Sequence, residues 1–160
     1  MIASRISGQG VPTGWKFFHL SFSDLGPKAV FQPSIPSDAT EDMHEDFTTL
    51  RVCLAPTLEG CLLALPIGGD LFIYGTRSSG FFQPDKSPFD WEGWEEYAEE
   101  NGLDPEDEDA LARTLEGTIP DPETGEVWSL KPVTLHRLGK LSAPSGELDS
   151  VSWGAGYANP

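Results

Sequence analysis

Residues 51–65, Arg-Val-Cys-Leu-Ala-Pro-Thr-Leu-Glu-Gly-Cys-Leu-Leu-Ala-Leu, admit few local structures. Val52, Cys53, Leu54 and Ala55 form an apolar run of strand length with no polar alternation, the pattern of a strand covered on both faces. Pro56 cannot donate to a ladder, so the strand stops there. Thr57 carries the hydroxyl of a helix cap, and Leu58, Cys61, Leu62 and Leu65 follow on one helical face. A strand that turns directly into a helix leaves polar atoms at the strand end, where ligand sites are readily built.

The rest of the chain is read around this unit. Residues 1–14 carry turn chemistry and read as an irregular arm. Trp15 to Phe22 is aromatic-rich, bounded by Gly14 and Asp24, and reads as a first strand. Ala29 to Phe31 is a short extended piece, and Pro33 and Pro36 keep the next segment out of a central strand. Residues 37–49 read as a polar loop with one His. Asp70 to Gly75 reads as another strand, and 76–90 as loop.

Trp91, Trp94, Tyr97 and Ala98 then recur at helical spacing with glutamates between them, and Asn101-Gly102 ends that helix. Asp104 is the expected cap of a second helix with Pro105 at its first position, an Ala110, Leu111, Thr114, Leu115 stripe and Gly117 at its close. Glu126 to Lys131 alternates like a strand, and Val133 to Leu141 reads as its continuation or hairpin partner. From Ser142 the tail reads as irregular, with Trp153 and Tyr157 as pins. Helices and strands do not alternate strictly. The expectation is one α+β domain with a mixed or antiparallel sheet of about five to six strands. Its core is placed in 15–89 and 118–141, with an acidic helical hairpin inserted at 90–117.

Charge narrows the classes of partner. The chain carries a formal charge of −16 over 160 residues. Residues 90–126 hold 15 of its 26 acidic side chains and a single basic one, Arg113, so the remainder is close to neutral. A basic surface is what non-specific nucleic-acid or anionic-membrane binding needs, and this chain lacks it. A basic protein partner, docking on the acidic 90–117 segment, is the kind of interaction the charge permits. No apolar run approaches the ~20 residues of a membrane span, and the first residues lack the apolar region of a signal peptide. Cys53 and Cys61 lie in apolar surroundings and read as buried free thiols of a reducing, cytoplasmic compartment.

Motifs that announce chemistry are missing. His19, His44, His136, Cys53 and Cys61 show no paired metal-ligand spacing, so no metal is expected. There is no phosphate loop, dinucleotide fingerprint or nucleophile elbow. The polar residues set against the strands are His19, Arg51, Thr57, Tyr74 and Glu126.

Phe-Phe-His-Leu-Ser in a first strand, Arg-Val-Cys-Leu-Ala-Pro-Thr-Leu-Glu-Gly-Cys-Leu at a strand-turn-helix, and a late Glu-Val-Trp strand resemble the ADP-ribosyltransferase-like fold. The same runs look like small proteins of phage and prophage origin. The resemblance covers residues 15–75 and 124–141. It implies NAD as cofactor or substrate, with His19 holding the ribose, Thr57 in the small-hydroxyl position and Glu126 as the catalytic carboxylate. Beside it, Arg51 is read as a partner for the pyrophosphate, and Tyr74 or Phe81 as a face for the nicotinamide. Members that modify arginine carry Glu or Gln two residues before the catalytic Glu. Thr124 stands there, which points to other acceptors, to simple NAD cleavage or to an inactive relic. The acidic segment is no part of that shared core. It suggests a second class, a non-catalytic acidic inhibitor of a basic host protein, similar to anti-restriction or anti-CRISPR inhibitors. A virion-associated protein is a third.

Overall fold

The computed structural model describes residues 13–36, 45–63, 69–89, 93–145 and 147–154. Residues 1–12 of the arm expected at 1–14, residues 37–44 of the loop expected at 37–49, Leu65, Trp91 and Tyr157 lie outside them. The described chain is α+β, built on an antiparallel sheet with few helices. Its strands are β1 (Phe17–Ser21), β2 (Lys28–Phe31), β3 (Val52–Leu54), β4 (Gly69–Thr76), β5 (Asp85–Lys86), β6 (Thr118–Ile119), β7 (Val127–Ser129), β8 (Val133–Ala143) and β9 (Ser150–Trp153). Its helices are α1 (Leu58–Leu63), α2 (Trp94–Glu100) and α3 (Glu108–Leu115), with a 3-10 turn at Pro122–Thr124.

The main sheet runs β1-β4-β8-β2, and β9 also pairs with β8. β8 is its spine. One side of β8 is taken by β4, and the other side is shared end to end by β2, opposite Val133–His136, and β9, opposite Gly139–Ser142. Period-two alternation divides the core between the two faces. Leu71 and Ile73 of β4 join Phe18, Leu20, Leu138, Leu141 and α1 residues Leu58 and Leu62 in one cluster. Tyr74 of β4 joins Val52, Leu54, Val127 and Leu135 in the other, with Phe17, Phe31 and Phe72 packed against it. β3 and β7 form a separate antiparallel pair that covers this second face, Cys53 standing opposite Trp128.

Three expectations are corrected by this topology. The strand at 126–131 is neither continued by nor hairpinned to the next one: β7 pairs with β3, while β8 turns away into the main sheet. The tail is not wholly irregular, since Ser150–Trp153 completes the edge of β8 and Trp153 packs against Phe18 at 6.3 Å between ring centres. α3 is capped by Asp107 rather than Asp104: Asp107 accepts from the N–H groups of Asp109 and Ala110, and Asp104 closes the preceding turn by accepting from Glu106 N–H at 2.9 Å. Both acidic helices form, and the Trp94 indole N–H ties the first to the Pro105 carbonyl at 2.8 Å. Among the described residues no helix is long and apolar enough to cross a membrane.

Candidate functional site

β1 and β3 meet through one backbone pair and then part. Phe18 N–H donates to the Ala55 carbonyl at 2.7 Å, and Ala55 N–H to the Phe18 carbonyl at 3.0 Å. A continued antiparallel ladder would pair Leu20 with Cys53 next. Instead the Cys53 carbonyl accepts from His19 Nδ1 at 2.8 Å. The imidazole stands in for a rung, and a cleft of about 540 Å³ opens beside it. That volume is within the range of roughly 300–1,000 Å³ typical of small-molecule sites. Residues from β1 and the segment after it, the β2 end, 51–55, α1 and 119–126 line it.

His19, Arg51 and Glu126 therefore line the same cleft, although the chain separates them widely. A carbonyl oxygen can only accept, so Nδ1 of His19 carries the proton and Nε2 is the basic nitrogen of the neutral ring. Burial lowers the His19 pKa below its usual value, and the bond to Cys53 opposes this only in part, so the ring is neutral at pH 7. Phe31 meets the imidazole edge-on at 4.8 Å and restrains its plane.

Glu126 enters the cleft from the turn that precedes β7. Pro122–Thr124 closes on Gly125, whose φ of 71° is the left-handed region that glycine adopts without strain. Thr124 Oγ1 donates to the Asp121 carbonyl and accepts from Glu126 N–H, both at 3.1 Å, which fixes where the carboxylate leaves the turn. Glu126 Oε2 then accepts from the Trp128 indole N–H at 2.6 Å. Glu126 and Trp128 are two apart, so strand alternation brings them to one face.

Behind this pair lies a buried charge network. The Arg51 guanidinium sits 4.3 Å from the centre of the Trp128 ring. It donates to the carbonyls of Thr49 and Asp46, each at 2.8 Å, and pairs with the carboxylates of Glu45 at 3.5 Å and Asp46 at 3.8 Å. Asp46 is fully buried and accepts from the N–H groups of Thr48, Thr49 and Gly117 at 2.9, 2.9 and 2.7 Å. Burial alone would raise its pKa. The hydrogen bonds from Thr49, Gly117 and Thr48 outweigh burial and hold it below the ordinary carboxylate value. Asp46 and Trp128 were not singled out from the sequence. Their signals were present: Asp-Phe-Thr-Thr is an Asx-turn pattern, and the Trp follows the Glu at strand spacing.

The other two site candidates lie elsewhere. Thr57 is exposed and acts as the α1 cap, its Oγ1 accepting from Gly60 N–H at 3.0 Å. Tyr74 is fully buried on the second face of the sheet; its hydroxyl donates to the Gly26 carbonyl and accepts from Leu25 N–H, both at 2.8 Å. Phe81 packs edge-on against Phe17 at 5.5 Å. Cys53 and Cys61 are free thiols that line the cleft. Burial, with the Glu126 charge adding to it, raises the Cys53 pKa far above its usual value, and burial pushes Cys61 up to about 12, so neither forms a thiolate at neutral pH. Among the described residues no group of three or more His, Cys, Asp or Glu side chains gathers as a metal cluster would.

Set against family models, curated proteins and solved structures, the chain matches none of them. The site itself offers a held carboxylate, a neutral imidazole and an aromatic-edged wall. Such a set can stabilise positive charge developing on a bound sugar and can orient its hydroxyls.

Proposed function

We propose that this cleft binds the nicotinamide-riboside end of NAD or a related nucleotide and cleaves its N-glycosidic bond, on an ADP-ribosyltransferase-like site. The observation that supports this reading is that His19 and Glu126 line one cleft of ligand size. In the reaction the C1′–N bond breaks heterolytically. Its electron pair leaves with the pyridinium nitrogen, which becomes neutral nicotinamide, and positive charge develops on the ribose. The Glu126 carboxylate stabilises that charge, which is larger in the transition state than in the bound substrate. Water, or the nucleophile of an acceptor, then bonds to C1′ and loses its proton. Neutral His19 orients ribose hydroxyls.

The test is release of nicotinamide from NAD by the wild type and by Glu126→Gln, followed chromatographically. The carboxamide keeps the hydrogen bond from Trp128 but not the charge, so release should fall by about 100-fold or more while NAD binding persists. If the wild type neither binds nor consumes NAD, the reading is wrong.

A second reading rests on a different observation. Glu95, Glu96, Glu99 and Glu100 of α2, and Asp104 and Glu106 to Asp109 around the start of α3, are all exposed. This surface suits a basic protein partner. Its binding would weaken steeply with salt and with Glu95, Glu96, Glu99 and Glu100 changed to Gln. A capture assay indifferent to both changes would dispose of it.

A further inference from the structure

We infer that the cleft selects a cationic aromatic N-riboside and takes no grip on phosphate, an inference that rests on the NAD reading and narrows it. Among the described residues that line the cleft, the charged ones are Glu45, Arg51, Asp121 and Glu126. Arg51 is the single cation of that set, and its side chain is 0% exposed, so a ligand in the cleft cannot touch it. Its charge is already matched by Glu45 and Asp46. The Glu45 side chain, by contrast, is 24% exposed, Asp121 is exposed and Glu126 is half-buried. His19 adds no charge at pH 7, as its hydrogen bond and burial require. The charge presented to a ligand is therefore carboxylate.

An apolar-walled, partly desolvated cleft strengthens that field. A pyrophosphate inside it would meet like charge with no donor cation to offset it. A pyridinium ring would meet opposite charge. The rim adds a surface for such a ring: Phe22 lines the cleft and is 56% exposed, a large aromatic left facing solvent. A cation over an aromatic face is favoured by the ring quadrupole. The adenylate part of NAD then lies outside the cleft and contributes little.

The experiment is calorimetric titration of the full chain with nicotinamide riboside, nicotinamide mononucleotide, NAD, ADP-ribose and reduced nicotinamide riboside, at low and moderate salt. The riboside is expected to bind at least as tightly as the mononucleotide and NAD. The reduced riboside, which has the same shape without the charge, is expected to bind about ten-fold more weakly or worse. Phe22→Ala should weaken the riboside about five-fold with the melting temperature unchanged, since the ring is exposed. Affinity that climbs with each added phosphate, or ADP-ribose binding as well as NAD, would overturn this inference and leave the NAD reading standing. Equal binding of the oxidised and reduced ribosides would also overturn it. Absence of binding by every compound would overturn both.

Discussion

Two residues set the behaviour of the site, and each makes a prediction. His19 has a pKa lowered by burial, so the folded state binds its proton less readily than the unfolded state does. Its contribution is present above the unfolded value of about 6.5 and is lost as pH falls through the folded value. Between pH 7 and 5 the wild type should therefore lose stability relative to His19→Gln, measured as the difference between their urea midpoints. The general effect of protonating carboxylates is common to both proteins and cancels. Parallel curves would mean that the ring is not held neutral. Arg51 is the second. Arg51→Met leaves Asp46 buried with three backbone N–H partners but without its counter-charge. The expected loss is about 3 kcal/mol, at the low end for an orphaned buried ion because those hydrogen bonds remain. A loss under about 1 kcal/mol in urea unfolding would show that the network is not structural.

At the scale of elements, the cleft wall depends on how closely α1 approaches the turn at Pro122–Thr124. A Cβ on Gly60 would overlap the Thr124 carbonyl oxygen, which is backbone and cannot swing aside. Gly60→Ala should cost about 1–3 kcal/mol by overpacking and should also displace Thr124 and Glu126, weakening any ligand of the cleft. Unchanged stability and unchanged binding would contradict that packing. The sequence made the elements themselves largely readable. β1, β3, α1 and β4 lie within a residue or two of the runs expected at Trp15 to Phe22, Val52 to Ala55, Leu58 to Leu65 and Asp70 to Gly75, because aromatic density, an apolar run, a Thr cap and Pro56 are local signals. Pairing was not readable. Nothing local distinguishes Val127–Ser129 beside Val133 from the same strand beside Val52, and only the shared burial of Val52, Leu54 and Val127 decides it. The site was legible in the same uneven way. His19 and Glu126 were readable as polar residues set against strands, and both line the cleft, whereas Phe22 is exposed just past the end of β1, a position that the local sequence does not mark.

For the molecule as a whole, charge is the main force that packing does not balance. With a formal charge of −16, much of it in 90–126, the compact state works against its own repulsion. Raising salt from about 10 to 200 mM shortens the screening length from roughly 30 Å to under 10 Å. The melting temperature should rise by a few degrees, on the order of 1 kcal/mol. Replacing Glu95, Glu96, Glu99 and Glu100 by Gln should shrink that rise. A salt-independent melting temperature would locate the stability elsewhere.

β8 joins β4 on one side to β2 and β9 on the other, and it lies beyond residue 132 in a chain whose first described strand begins at Phe17. During synthesis, β1 leaves the ribosome able to pair with β4 and with Ala55, whereas among the described strands β2 has no partner until His136 has emerged, and β4 lacks its second neighbour until Ala143 has. The nascent chain must hold β2 and one edge of β4 open through most of translation, so production in cells should depend on chaperones that bind extended segments, and stalled chains ending before Val133 should remain protease-sensitive at Lys28–Phe31.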